Sequence, residues 1–176
     1  MNKIYIGVSG KMGTGKSTVS NAIIAHLGGT RIPLAAPLYA LQDTIYTQCS
    51  IELQGDKDRD LLIALGLWGR SKSETFWLDQ FIKTAEASKH DIVICDDVRF
   101  PNEADFFSKH GLLIRLEGMQ RGANVDHNTG NKTEIALDDY VFENTISNLN
   151  GITDTVSNVL DIIGRYYGQV KDSKGL

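Results

Sequence analysis

One short stretch near the amino terminus restricts the fold of this chain more than any other. The apolar run 4–8 leads into VSGKMGTGKSTVS at residues 8–20, where Gly10–Ser17 has the spacing G-x-x-x-x-G-K-S. Glycines let the backbone curl until successive N–H groups converge on an anion, at the positive end of a helix that should begin at Lys16. A strand, this turn and a helix, in that order, predict a loop that binds the phosphates of a nucleoside triphosphate.

The loop has the residue types that ATP and Mg²⁺ require. Lys16 can reach the β- and γ-phosphates, and the hydroxyl of Ser17 can ligate Mg²⁺. Thr18 stands where a dinucleotide-binding fingerprint would need its third glycine, so that alternative fails. We therefore predict that ATP binds to Gly10, Lys11, Met12, Gly13, Thr14, Gly15, Lys16, Ser17 and Thr18.

Hydrophobic periodicity predicts that strands and helices alternate along the chain. Strands are expected at 4–8, 30–34, 92–95, 112–116 and 141–146. Helices are expected at 16–27, 36–46, 58–68, 102–110 and 152–167, and one more after the capping-box pattern at Ser71–Glu74. Such alternation is typical of a three-layer α/β sandwich around a mainly parallel, five-stranded sheet.

Composition excludes several classes of protein. The 18 basic and 22 acidic residues give a net charge of −4, so no bulk positive field attracts nucleic acid or an anionic membrane. No signal peptide is expected, and no apolar run reaches the ~18 residues that a membrane span needs. The two cysteines, Cys49 and Cys95, are too few for a secreted disulfide scaffold. We expect a cytoplasmic protein with no nucleic-acid or membrane partner.

A pair of aspartates provides a second candidate element of the site. The apolar run 92–95 ends in Asp96 and Asp97, and a carboxylate at this place can hold Mg²⁺ through water, opposite Ser17. Side chains alternate in direction along a strand, so the sequence leaves open which aspartate serves the metal. A helix cap or a solvated acidic pair is the alternative interpretation.

Arginines are the candidates for holding a second phosphate. Arg99 comes just after the strand of the two aspartates, where ligands collect in open α/β sheets, and a guanidinium can bridge two phosphates. An ion pair with a neighbouring acid is the alternative for Arg99. Arg70 ends a helix, and Arg121 lies in a polar loop that could close over a transferred phosphoryl group. Glu103 either orients Arg99 or favours the start of the next helix.

Other residues have less certain roles in the sequence. Arg115 lies inside a predicted strand, where exposure to solvent and a structural ion pair compete equally. Arg31 and Arg165 are expected to be surface charges. Trp68 and Trp77 fall on apolar helical stripes, which favours core packing over stacking on a base.

Four stretches together make the chain similar to a known family: GKMGTGKST, LLIALGLWGRSKSETFW, IVICDDVRFPNEAD and HNTGNKTEIALDDYVFENTISNLNGITDTV. In order and spacing, over residues 3–165, they resemble the phage-type deoxynucleoside monophosphate kinases, a branch of the P-loop nucleoside monophosphate kinases. DDVRFPNEAD is the most specific of them. The resemblance implies transfer of the γ-phosphoryl group of ATP, with Mg²⁺, to the 5′-phosphate of a deoxynucleoside monophosphate (dNMP), giving the diphosphate (dNDP) and ADP.

The same resemblance implies roles for individual residues. Asp97 would be the acidic residue of the strand-end motif, Arg99 would contact the acceptor phosphate and Arg70 would help to fix that acceptor. The chain would be one P-loop kinase domain over 1–176, with an acceptor-site helical insertion at about 35–89 and a lid-like loop at about 117–133 that contains Arg121. If the chain is phage-encoded, it would act in the host cytoplasm. Whether it forms a homodimer is left open.

Two alternative functions belong beside this one. Another small-molecule P-loop kinase, such as dephospho-coenzyme A kinase, shares the strand order, the phosphate loop and the lid. A nucleotide-dependent switch or binding protein is the alternative from another class. The sequence lacks the guanine-reading pattern Asn-Lys-x-Asp and has no catalytic glutamate directly after Asp96 and Asp97, which argues against a switch or a motor ATPase.

Overall fold

The computed structural model describes residues 3–118 and 135–174, with the backbone alone over 169–174. The chain divides into two compact units, one made of Met1–Arg31 with His90–Leu176 and the other of Ile32–Lys89. The second unit has nearly the bounds of the helical insertion expected at 35–89. Whether that unit receives an acceptor stays a prediction.

Five strands and six helices make up the described chain. The strands are β1 (Ile4–Gly10), β2 (Thr30–Arg31), β3 (Ile92–Val98), β4 (Gly111–Glu117) and β5 (Thr145–Ser147). The helices are α1 (Lys16–Leu27), α2 (Ala36–Cys49), α3 (Arg59–Lys72), α4 (Phe76–Ala87), α5 (Pro101–His110) and α6 (Ile152–Lys174). No helix of the described part is long and apolar enough to cross a membrane.

The first unit is built on one sheet with the strand order β2-β3-β1-β4-β5, in which every neighbouring pair is parallel. Because successive side chains of a strand point to opposite faces, β1 shows how the layers stack. The ring of Tyr5 lies 5.1 Å from that of Phe106 in α5, and a Cβ at Gly7 would lie only 2.5 Å from the ring of Phe107. One face of the sheet is therefore covered by α5.

The opposite face of the sheet is covered by α1 and α6. Ile6 and Val8 alternate with Tyr5 and Gly7 along β1, and both are fully buried. The core cluster that they join includes Val19 and Ile23 of α1, Ile94, Ile114 and Leu116 of the sheet, and Val159 and Ile163 of α6. The expected three-layer α/β sandwich around a parallel, five-stranded sheet is confirmed.

Several element boundaries differ from the expected ones. β3 continues to Val98 because Val98 pairs with Ser9 of β1, so the two aspartates lie within the strand. β2 has only two residues, and β5 begins at Thr145 instead of 141, where Val141 is 89% exposed. The capping-box assignment at Ser71–Glu74 is wrong. Ser71 belongs to α3, where its hydroxyl donates to the carbonyl of Trp68 at 2.6 Å, and the cap residue of α4 is Thr75.

The second unit consists of α2, α3 and α4, and its packing separates the two tryptophans. Trp77 is buried, its Nε1 donates to the carbonyl of Gly66 at 3.0 Å, and a Cβ at Gly69 would lie 2.5 Å from its ring. The indole of Trp77 therefore packs directly on the backbone of α3. Trp68 is 51% exposed, so the core assignment is right for Trp77 and wrong for Trp68.

Candidate active site

The loop between β1 and α1 has the backbone that its glycines allow. Gly13 and Gly15 have φ angles of 79° and 94°, in the left-handed region that residues with a Cβ rarely adopt. Gly15 is the cap residue of α1, and no side chain caps this helix. This end of α1 therefore has the features of a helix terminus that can bind an anion.

Lys16 lies folded across this loop. Its Nζ donates to the carbonyl of Gly10 at 2.6 Å and to that of Lys11 at 2.9 Å. Both carbonyls belong to the turn itself, so the ammonium group is held inside the curve of the loop. This is the position from which a lysine can reach the phosphates of a bound nucleotide.

Asn148, which sequence reasoning missed, ties the loop to the far edge of the sheet. Its Nδ2 donates to the carbonyl of Thr14 at 3.1 Å, and its backbone N–H donates to Glu117 at the end of β4 at 2.9 Å. Asn148 is 9% exposed. One buried amide thus fixes the middle of the phosphate loop to the strand end beside it. Nothing local in the sequence marks this asparagine, because its partners are distant in the chain.

A bulge in β3 sets the directions of the two aspartates. Gly7 pairs with Cys95 and Ser9 pairs with Val98, so Asp96 and Asp97 together oppose the single residue Val8. Such an insertion changes where side chains point beyond simple alternation. Asp96 is 5% exposed, and Asp97 is half-buried with its Oδ1 accepting from the Cys95 thiol at 3.1 Å.

Asp96 has the environment of a cation ligand. Burial raises its pKa, as does the charge of Asp97, while the charge of Arg31 and a hydrogen bond from Ser17 lower it. Arg31 Nε lies 3.3 Å from Oδ1 of Asp96, and the buried Oδ2 has no hydrogen-bond partner in the structure. A buried carboxylate oxygen left without a donor, beside the hydroxyl of Ser17, fits the oxygen ligands that Mg²⁺ takes.

The remaining acidic residues do not build a larger cation cage. Across residues 3–118 and 135–174, no group of three or more His, Cys, Asp or Glu side chains is placed to hold a metal ion. Magnesium in phosphate-transfer sites usually takes one or two carboxylates and completes its shell with water and substrate phosphates. The arrangement of Asp96 and Ser17 matches that kind of site.

Arg31 is a partner that the sequence did not suggest. We expected a surface charge, and its side chain is 39% exposed, yet it forms the ion pair with Asp96. Its residue lies in β2, opposite Ile94 of the neighbouring strand β3. Only the strand order, which the sequence does not fix, brings the two charges together.

Glu103 fixes the backbone around Arg99. The buried Glu103 carboxylate accepts from the backbone N–H of Arg99 at 2.8 Å and from that of Phe100 at 3.1 Å, at the third position of α5. It therefore caps the helix, which agrees with the second of its two expected roles. The Arg99 side chain is exposed.

A small pocket joins the loop to the ends of three strands. Its lining residues are Ser9, Gly10, Lys16, Val98, Arg99, Arg115 and Leu137. Three of these side chains are cationic and none is a carboxylate. The structure thus brings the predicted residues Lys16 and Arg99 together and adds Arg115, for which the sequence left the role open. A pocket with this lining is suited to an anion.

Arg115 also faces a second, larger pocket of about 290 Å³. The residues that line it are Lys11, Thr14, Arg115, Leu116, Glu117, Gly118, Leu137, Asp138, Tyr140 and Phe142. Asp138 lies between the cations of this pocket, with Oδ2 3.4 Å from Nζ of Lys11 and Oδ1 3.7 Å from Nη2 of Arg115. Of the two alternatives for Arg115, burial with ion pairs is the one that the structure shows.

The remaining predicted residues differ in their exposure and in the unit that contains them. Met12 is 50% exposed, and Ser17 and Thr18 are exposed at the start of α1. Arg70 lies in α3 of the second unit, where Nη1 donates to the carbonyl of Gly66 one turn earlier at 3.2 Å. Arg121 lies outside the described residues, as does most of the lid-like loop at 117–133.

Comparison with known proteins gives a fold rather than a family. No protein-family model matches the sequence, and a search of curated proteins gave no match. Solved structures do match. A gluconokinase from Sinorhizobium meliloti 1021 is 19% identical, with a TM-score of 0.53 and 97% of each chain covered.

Two further solved structures have the same kind of likeness. A shikimate kinase from Acinetobacter baumannii in complex with shikimate is 16% identical, with a TM-score of 0.55, covering 92% of this chain and 93% of that one. A dephospho-CoA kinase from Campylobacter jejuni is 16% identical, with a TM-score of 0.52, covering 97% of this chain and 98% of that one. The chain therefore shares the α/β fold of these three solved structures.

Proposed function

We propose that the protein is an ATP-dependent kinase that transfers the γ-phosphoryl group of ATP to the 5′-phosphate of a dNMP, giving dNDP and ADP. The observation that supports it best is that Lys16 and Arg99 line one pocket free of carboxylates at the phosphate loop. One cation suits the donor phosphates and the other suits the phosphate of the acceptor. The motif DDVRFPNEAD, which carries Arg99, is also the stretch most specific to the phage-type dNMP kinases.

The chemistry of such a transfer needs alignment and charge neutralisation more than covalent help. The bond between the γ-phosphorus and the β–γ bridging oxygen breaks, and a bond forms to an oxygen of the acceptor phosphate. That oxygen is already anionic, so no general base is required. Two anionic groups must approach each other, which is costly unless cations converge, and the chain as a whole is acidic.

Mg²⁺ is the metal that this function implies. The Ser17 hydroxyl and the Asp96 carboxylate are the groups that would hold it, with the unpartnered Oδ2 of Asp96 as the ligand oxygen. When bound, Mg²⁺ neutralises charge on the β- and γ-phosphate oxygens. Asp97, which the family resemblance favours as the acidic residue of the motif, is the alternative ligand.

The remaining parts of the proposal concern the acceptor side. Arg70 would help to fix the dNMP, the helical unit Ile32–Lys89 would receive it, and Arg121 would close over the transferred group. The protein would act in the cytoplasm on this small molecule, without nucleic acid or a membrane. The resemblance to the phage-type family supports these assignments.

The test is an acceptor panel with the purified protein, ATP and Mg²⁺. ADP formation should depend on at least one of the four common dNMPs and should exceed the rate with the matching deoxynucleoside, which lacks the acceptor phosphate. Dephospho-coenzyme A, gluconate and shikimate serve as hydroxyl acceptors in parallel. ATP consumption that follows one of these, or that ignores every acceptor, would contradict the proposal.

A further inference from the structure

Arg115 is a buried cation with few partners. Its side chain is only 9% exposed, and Nη1 donates to the hydroxyl of Ser9 at 3.1 Å. Its Nε is buried and has no hydrogen-bond partner in the structure. A guanidinium carries several N–H donors, and leaving them unpaired away from water is costly. The unpaired N–H donors of Arg115 are therefore suited to an acceptor that a bound ligand brings.

The carboxylates near Arg115 do not accept hydrogen bonds from these donors. Oε1 of Glu117 lies 3.7 Å from Nε, and Oδ1 of Asp138 lies 3.7 Å from Nη2, both beyond hydrogen-bonding distance. Glu117 is 57% exposed and Asp138 is 39% exposed, so water weakens both attractions. The face of the guanidinium is held instead by the ring of Phe142, with 5.2 Å between Cζ and the ring centroid.

The position of Arg115 indicates which group of a ligand can reach it. Arg115 in β4 pairs in register with Ser9 in β1, and Ser9 directly precedes the phosphate loop. Arg115 also lines the pocket that contains Lys16 and Arg99. In a phosphate loop, the lysine at the position of Lys16 serves the β- and γ-phosphates. The anion nearest to Arg115 would thus be the terminal phosphate of the nucleotide.

We infer that Arg115 is a further ligand of the γ-phosphoryl group, contacting it from β4 while Lys16 contacts it from the loop. This rests on the proposed function only in taking ATP as the phosphoryl donor. As the bond to the β–γ bridging oxygen breaks and the bond to the acceptor oxygen forms, the guanidinium donates to the non-bridging oxygens throughout. Phe142 and Ser9 hold Arg115 in place before ATP binds.

The test compares nucleotides that differ by the γ-phosphate. Calorimetry measures the dissociation constants of the protein for ADP and for a non-hydrolysable ATP analogue, each in the presence of Mg²⁺. The wild type, Arg115→Gln and Arg115→Lys are compared. Arg115→Gln should weaken binding of the ATP analogue about tenfold or more and that of ADP by less than about twofold. Arg115→Lys keeps the buried charge and should lose less. Arg165→Gln, at an exposed arginine of α6, is the matched control and should change neither constant.

A structural arginine would give a different result. Equal weakening for both nucleotides, no weakening for either, or loss of the folded state in both variants would overturn the inference. The measurement needs no acceptor, so it is independent of the acceptor panel. A wild type that binds the ATP analogue but phosphorylates no dNMP would refute the proposed acceptor and leave the result for Arg115 intact. A wild type that binds neither nucleotide would overturn both.

Discussion

Nε of Arg31 lies 3.3 Å from Oδ1 of Asp96, which joins the edge strand β2 to the bulge of β3 beside the phosphate loop. The pair holds one oxygen of a buried carboxylate and leaves the other, Oδ2, without a hydrogen-bond partner in the structure. Such a carboxylate is costly to the fold, because burial raises its pKa and only part of its charge is compensated. A residue kept at that cost is a candidate for function.

Asp96→Asn should abolish the Mg²⁺-dependent activity without weakening the fold. The variant removes the anionic oxygen proposed to hold Mg²⁺, and it also removes a buried charge, so its melting temperature should be at least that of the wild type. Initial rates over a series of Mg²⁺ concentrations, with thermal unfolding measured alongside, check both parts. Asp91→Asn, at an exposed aspartate just before β3, is the matched control. If Asp96→Asn has full activity at the Mg²⁺ concentrations that saturate the wild type, Asp96 is not the ligand of the metal.

Arg99→Lys should impair the enzyme although it keeps the positive charge. A lysine cannot make the two parallel hydrogen bonds that a guanidinium offers to a phosphate, so kcat/KM for the acceptor should fall about tenfold or more. Because the Arg99 side chain is exposed, the melting temperature should change little. Steady-state kinetics with the dNMP varied at saturating ATP make the measurement. A loss of stability with unchanged kinetics would favour a structural ion pair instead.

Asn148→Ala should loosen the phosphate loop. The substitution removes the donor to the carbonyl of Thr14 and leaves that buried carbonyl unpaired, which should lower the free energy of unfolding by about 1 kcal/mol or more. ATP binding should weaken several-fold, because the loop must then be ordered by the ligand. Asn150→Ala, two residues later at an exposed turn, should leave both quantities as they are. If Asn148→Ala binds ATP as tightly as the wild type, Asn148 does not order the phosphate loop for ATP binding.

The helical unit allows a prediction about pH. Asp58 caps α3, and hydrogen bonds from the backbone of Leu61 and from the hydroxyl of Tyr46 lower its pKa below the ordinary 3.8. A lowered pKa stabilises the fold above the ordinary value, and that stabilisation is lost as the pH falls through the lowered pKa. Asp58→Asn should therefore lower the melting temperature at neutral pH.

The melting difference between Asp58→Asn and the wild type should shrink as the solution is acidified below the ordinary pKa of 3.8. Thermal unfolding followed by circular dichroism across that range makes the measurement. Asp60→Asn, in the exposed first turn of the same helix, is the control. A difference that stays constant with pH would mean that the charge of Asp58 is not what stabilises the cap.

Patterns within short stretches were enough to predict most of the fold. The apolar runs of β1 and β3 are continuous because helices cover both faces of the sheet, and this is visible in the sequence itself. The phosphate loop is predictable for a similar reason, since its glycines must adopt backbone angles that other residues avoid.

What the sequence could not predict depends on contacts between distant segments. Arg31 and Asn148 look like ordinary polar residues until the strand order places one beside Asp96 and the other beside Thr14. The bulge that redirects Asp96 and Asp97 is a matter of register between β1 and β3, which no local pattern records. Trp68 and Trp77 lie on similar apolar stripes, and only the packing of α3 and α4 decides which of them is buried.

The most direct measurement follows the γ-phosphate itself. ATP labelled at the γ-phosphorus is incubated with Mg²⁺, the protein and the dNMP that the acceptor panel selects, and the products are separated and degraded to find the label. We expect the label in the β-phosphate of dNDP, in an amount equal to the ADP formed. With Lys16→Ala, the rate of label transfer should fall about a hundredfold or more. Lys83→Ala, the control, should transfer the label at the rate of the wild type. Label released as inorganic phosphate, or attached to any acceptor other than the nucleotide's 5′-phosphate, would contradict the proposed kinase.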